Sequence, residues 1–151
     1  MEAKIIANRF VEAFGDGADG AAPSTAQWER LLARPEDAPV TLVNLFKMRE
    51  TAHYPAEDGH AEESPASGEA AFARYAQVSM PAMDRVGGRF LAVAPHQGGF
   101  LGDEEDWDLV AIGQYPTLHA LIALYDDTAY QAAYRHRRAA CARQRVFVVG
   151  A

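Results

Sequence analysis

The chain has 151 residues, 49% of them hydrophobic and 23% charged, the balance of a soluble globular domain large enough to bury one core without staples. Its formal charge of −7 argues against nucleic acid or an anionic membrane as a partner, because both demand a basic surface. A single cysteine, Cys141, excludes an intrachain disulfide and a thiolate metal cluster; with no basic leader and no run near about 18 apolar residues, a cytoplasmic protein is expected.

In chain order, residues 2–14 place Ile5, Ile6, Phe10 (or Arg9) and Phe14 at spacings near three and four, the pattern of a short amphipathic helix that Gly15-Asp16-Gly17 ends. Ser24 or Thr25 caps a second helix through Gln27–Leu32, and Pro35 stops it. These make an N-terminal helical extension, residues 1–38, expected to cover one edge or end of a domain spanning 39–151. Pro39–Met48 is the first strand, apolar enough that both faces should be covered. Asn44 shares a face with Val40, Leu42 and Phe46, so its amide must find partners.

Residues 49–67 are polar, with two prolines and no period. They read as a solvated loop, or secondarily as a mobile lid. His53, Asp58, His60, Glu62 and Glu63 lack the spacing that would aim them at one ion, so no metal is expected. Ser67 then caps a helix from Glu69 to about Val86, with Phe72, Tyr75, Ala76, Ser79, Ala82, Met83 and Val86 on one stripe, Pro81 interrupting it and Gly87-Gly88 ending it. Arg89–Ala94 is the second strand, and a glycine-rich hairpin leads to the third, Trp107–Tyr115. Thr117 opens a helix that Asp126-Asp127-Thr128 breaks or recaps; the second segment continues to about Arg143, and Arg145–Val149 is the last strand.

The order β-α-β-β-α-β is the α+β, ferredoxin-like pattern, four antiparallel strands with two helices on one face. The apolar first and third strands predict that the other face is covered by a second copy, giving a homodimer through sheet faces.

The segments VTLVNLFKM, FARYAQVSMPAMDRVGGRF, WDLVAIGQYPT and AYQAAYRHRRAACARQRVFVV, in that order over residues 39–150, resemble the domain of unknown function 1330 family of the dimeric α/β-barrel superfamily. The first 35 residues and the 49–67 loop look like additions to its shorter members. The resemblance implies two ferredoxin-like protomers packed sheet to sheet. Superfamily relatives include cofactor-independent monooxygenases, isomerases, haem-degrading enzymes and stress-response dimers, so it implies no one reaction. In relatives a ligand commonly sits between the sheet and the helices.

At a helical step of 100° per residue, Tyr130, Ala133, Tyr134, Arg137 and Cys141 share one inward arc. A guanidinium there either pairs internally, or snorkels to the rim, or meets an anionic ligand. With Asn44, Tyr75, Ser79, Trp107 and Tyr130 it outlines a substrate cleft for a small anionic or aromatic compound. Arg137 and Asn44 would hold a developing oxyanion and Tyr75 or His96 would move the proton. Each of these also has a plain reading: Asn44 as a structural hydrogen-bonder, Tyr75 and Trp107 as core, His96 as a surface histidine. His119 and His136 read as helix-surface residues, and Cys141 as a small buried hydrophobe. No phosphate loop, nucleophile elbow or dinucleotide fingerprint is present, and no cofactor is called for. Three functions fit: a cofactor-independent monooxygenase or isomerase on a carbonyl or phenolic compound, a non-catalytic ligand-binding or stress-related dimer, and haem binding or degradation with His96 as axial ligand.

Overall fold

The computed structural model describes residues 2–55 and 66–150. The elements run α1 (Ala3–Phe14), α2 (Thr25–Leu32), β1 (Val40–Met48), α3 (Gly68–Arg85), β2 (Arg89–Pro95), β3 (Leu109–Tyr115), α4 (Leu118–Asp126), α5 (Thr128–Ala140) and β4 (Cys141–Val149). The strands form one antiparallel sheet in the order β2-β3-β1-β4, the ferredoxin-like arrangement that the β-α-β-β-α-β pattern predicts. Among the described residues no helix is long and apolar enough to cross a membrane.

Caps set the helix starts where the sequence places them. The Ser24 hydroxyl accepts from the Gln27 N–H while the Gln27 side chain accepts from the Ser24 N–H, a reciprocal capping box. The Ser67, Thr117 and Asp127 side chains each accept from the backbone N–H three residues on. Asp127 thereby restarts the helix one residue after α4 ends. Pro81 does not end α3, which continues to Arg85.

Five expectations are corrected. Ile5 faces out, 60% exposed, because α1 turns Ala7, Phe10 and Phe14 inward. The N-terminal helices do more than cover an edge or end, since they complete the main core: the Phe10 ring lies 4.7 Å from Trp28, and Phe14 lies 5.0 Å from both Tyr125 and Tyr134. The third strand begins at Leu109, two residues later than predicted. Helix α5 stops at Ala140 and Cys141 opens β4 without a loop, because β1 captures the chain: Met48 registers with Cys141, and the Arg49 N–H donates to the Ala140 carbonyl at 2.8 Å. Lastly, His136 is buried, its Nδ1 2.6 Å from the Tyr54 hydroxyl.

That last contact belongs to the segment read as a solvated loop. Thr51 bridges Ser67, Ala52 donates to the Ala66 carbonyl at 2.7 Å and His53 to the Ala139 carbonyl at 2.9 Å, so both ends are stitched to the body. Asp58, His60, Glu62 and Glu63 lie outside the described residues. Among those described, no three His, Cys, Asp or Glu side chains converge on a metal position.

Register divides the sheet into two faces. Val40, Leu42, Asn44 and Phe46 of β1 pair with Tyr115, Gly113, Ala111 and Leu109 of β3 and face the helices. Val43 and Leu45, opposite Ile112 and Val110, point the other way with Phe147 of β4. Phe147 is 48% exposed there.

Candidate functional site

Helix α5 spans the sheet near β1 and β4 and carries Arg137 on its inward stripe, 5% exposed. Burying a guanidinium costs several kcal/mol unless its N–H groups and charge are met. Nε donates to Gln144 Oε1 of β4 at 2.7 Å and Nη1 to the Tyr75 hydroxyl of α3 at 3.1 Å. The guanidinium carbon lies 4.9, 5.5 and 5.3 Å from the ring centroids of Phe46, Tyr75 and Tyr134, so three aromatic faces share the cation, each worth about 0.5–2 kcal/mol. Burial pulls the pKa of this group down, but the oxygens of Tyr134, Tyr75, Tyr130 and Tyr125 outweigh that and hold it charged. No carboxylate among the described residues pairs with it. Of the five N–H bonds of a guanidinium, three are left without an acceptor among the described residues.

Beside Arg137 a cavity of about 260 Å³ opens between α3 and the helix-facing side of the sheet. Leu42, Asn44, Phe46 and Ala111 form its floor; Phe72, Tyr75, Ser79 and Met83 of α3 form one wall, and Tyr130 and Arg137 close an end. The Tyr75 and Tyr130 hydroxyls are 2.8 Å apart. When Arg137 and Tyr130 both donate to the Tyr75 oxygen, the Tyr75 proton is left to point at a ligand. Burial, first of all, raises the pKa values of Tyr115, Tyr125 and Tyr130, so these phenols stay protonated at neutral pH. Among the described residues the lining has no Asp, Glu, His, Lys or Cys. These residues supply hydrogen-bond donors and one fixed positive charge, and no base that titrates near neutrality.

Asn44 enters this cavity with its donors occupied. Its amide nitrogen lies 3.0 Å from the Ala111 carbonyl and 3.4 Å from the Leu42 carbonyl, which leaves Oδ1 as the free polar atom. It therefore offers a ligand an acceptor, which suits a hydroxyl and not an oxyanion.

Asn44, Tyr75, Ser79, Tyr130 and Arg137 thus meet in one place, while Trp107 and His96 line no part of it. Trp107 is buried at the end of the sheet, with Arg143 stacked 4.2 Å over its ring and its indole N–H on Glu105. His96 follows β2, its backbone N–H on the Asp108 carbonyl. His119 is on the surface, 2.9 Å from Glu36. Burial raises the Cys141 thiol to about 11, so it stays protonated.

Sequence reasoning missed Gln144, which fell between the expected helix end and strand start, and Tyr125 of α4. The signal for Tyr125 was available, since Leu118, Leu121, Leu124 and Tyr125 follow a helical stripe.

Comparison with known proteins adds a family and no activity. Residues 65–151 match the family described as domain of unknown function (DUF1330). The crystal structure of RPA0582, a protein of unknown function from Rhodopseudomonas palustris, is similar with a TM-score of 0.75 and 27% identity, covering 85% of this chain and 94% of that one. The structure of methylated RPA0582 is similar with a TM-score of 0.77 and 26% identity, over 87% of this chain and 93% of that one. No curated protein matches.

Proposed function

Because this chain belongs to the DUF1330 family, a domain of unknown function, we propose its role from the site alone: the cavity beside Arg137 binds a small aromatic or alicyclic anion, a carboxylate, phenolate or enolate. The observation that carries this reading is a buried guanidinium with three N–H bonds unmatched and no carboxylate partner among the described residues. The apolar floor and α3 wall fit a ring, the arginine fits the charge, and Asn44 Oδ1 fits a ring hydroxyl. A lining without a neutral-range base suits chemistry in which the substrate arrives as its own anion. Arg137 then holds the enolate oxygen while the Tyr75 hydroxyl gives its proton to the enolate carbon, forming a C–H bond as the C=O bond is restored, and the Tyr75 phenolate regains a proton from solvent through Tyr130, as in tautomerisation. The same lack of a base favours, as second reading, a protein that binds such an anion without turning it over.

The protein works, on this proposal, as a homodimer in which the open sheet faces cover one another. Support comes from Val43, Leu45, Val110, Ile112 and Phe147, apolar residues gathered on the face opposite the helices. The cytoplasm is the compartment we propose for it.

The test is calorimetric titration with benzoate and with benzamide, its neutral isostere. Saturable binding of benzoate, absent for benzamide and absent in Arg137→Met, is expected. Equal binding of the two compounds, or benzoate binding that survives Arg137→Met, removes the proposal.

A further inference from the structure

The cavity beside Arg137 extends past the space that a ring needs. A void of roughly 150 Å³ suffices for one benzene ring, and this one measures about 260 Å³. The surplus runs towards β2. Val93 of β2 registers with Ala111 of β3, which in turn registers with Asn44 of β1, so the three form one row across the helix-facing side of the sheet. Ala111 adds a single methyl group to that row and leaves the floor low between Asn44 and the sheet edge. At the edge, Met80 of α3 and Phe90 and Val93 of β2 line the opening.

The two ends of this space differ in chemistry. Arg137, held over Phe46 of β1 and on Gln144 of β4, makes a polar end with the Tyr75 and Tyr130 hydroxyls. Met80, Phe90 and Val93 make an apolar end and are 51%, 41% and 53% exposed. Because β3 lies between β1 and β2, the two ends are at least two strand spacings apart, roughly 10 Å. A ring whose carboxylate meets Arg137 therefore turns its para carbon towards the edge and stops short of it. Phe90 and Val93 register with Gly113 and Ala111 on the helix-facing side, so a second copy seated on the opposite face leaves them open. They are large apolar side chains left bare on an edge strand whose seven residues are all exposed.

We propose that the ligand of this cavity is a ring anion carrying an apolar chain opposite its acidic group, the chain passing over Ala111 and leaving between Met80, Phe90 and Val93. The inference rests on the reading of the cavity as an anion site and adds which end of the ligand is extended, and by what. A bare ring anion meets the arginine but leaves the opening wet, whereas an aliphatic chain covers all three side chains at once. Each methylene taken fully out of water strengthens binding about fourfold, and about twofold at a half-open mouth. A charged group at the same position would sit among apolar residues with nothing to pair with.

The experiment is calorimetric titration of the full chain with benzoate, 4-ethylbenzoate, 4-butylbenzoate, terephthalate and 4-butylbenzamide. Affinity should climb along the alkyl series and reach about tenfold above benzoate at 4-butylbenzoate. Terephthalate should bind more weakly than benzoate, and 4-butylbenzamide about tenfold more weakly than 4-butylbenzoate. The Met80→Gln/Val93→Thr variant keeps side-chain size and makes the opening polar. With its circular dichroism unchanged, it should bind benzoate as the native chain does and 4-butylbenzoate no better than benzoate. An alkyl series that is flat or falling, 4-butylbenzamide equal to 4-butylbenzoate, or a double variant that keeps the full alkyl gain would each overturn the proposal. The alkyl series on the native chain decides the matter if the variant fails to fold. Benzoate binding with a flat series removes this proposal alone, whereas failure of both benzoate and 4-butylbenzoate to bind removes the anion site and the proposal with it.

Discussion

The two faces of the sheet are built on opposite principles. The face under the helices encloses polar groups, with Asn44 on β1 and Arg137 leaning over from α5, and satisfies them only in part. The open face carries Val43, Leu45, Val110, Ile112 and Phe147. An incompletely matched charge in a small enclosed space is met by a small ligand of opposite charge. A broad apolar face is covered efficiently only by another broad apolar face. This difference is what the proposals of a ligand on one side of the sheet and a second copy on the other draw on.

The largest expected effect comes from breaking the covered face at its seam. A Cβ at Gly68, the first residue of α3, would lie 2.1 Å from the Arg49 carbonyl oxygen and 2.8 Å from that of Ala140. Gly68→Val should cost about 3 kcal/mol and lower the melting temperature by about 10 °C; a variant as stable as the native chain would show that the seam yields. The open face is tested next by Ile112→Asp. Light scattering should find twice the chain mass for the native protein and the single-chain mass for the variant, with unchanged circular dichroism. A native protein already at the single-chain mass would take the association away from this face.

Arg137→Met separates stability from binding on the covered face. Replacing an incompletely met buried charge by a side chain of similar length should stabilise the fold by about 1 kcal/mol while benzoate binding disappears. A strongly destabilised variant would make Arg137 a structural residue. Asn44→Ala, which strips the Ala111 carbonyl of its side-chain donor, should cost about 1 kcal/mol in denaturant unfolding and leave the mass unchanged.

The smallest effect is expected at the joint between α4 and α5. The Arg85 guanidinium 2.8 Å away and then the Tyr130 N–H lower the Asp127 pKa. A depressed carboxylate contributes stability that is present above its unfolded pKa and lost as pH falls through the folded value. The pair is solvent-screened, so Asp127→Asn should cost under about 1 kcal/mol at pH 7. The gap between variant and native chain should close as pH falls through the folded Asp127 value, below which both side chains are neutral. A gap that persists in acid would assign the effect to the cap and not to the charge.

Much of the scaffold was legible before any coordinates. The stripe through Phe72, Tyr75, Ala82 and Met83, the caps at Ser24, Ser67 and Asp127, and the apolar run of β1 are local signals, each set by neighbours within a turn or a strand. Errors fell where a distant segment overrode a local pattern. Cys141 continues the helical arc of α5, but β1 draws it into the sheet. His136 reads as a surface residue until Tyr54, 82 residues away, packs on it. Trp107 and His96 were attractive by type and position along their strands, and the three-dimensional path carries both away from the cavity.

What the sequence by itself determined is the order of elements, the ferredoxin-like class and the inward stripe that holds Arg137, because helical and strand periods record which side of each element meets the core. Tertiary structure alone decided what that arginine does there. Its acceptors come from α3 and β4, one Asn44 donor is spent on a strand 67 residues away, and the N-terminal helices raise a wall beside β4. Hydrogen bonds and cavities are properties of groups brought together from across the chain, so no local pattern encodes which donors are spent and which are left for a ligand.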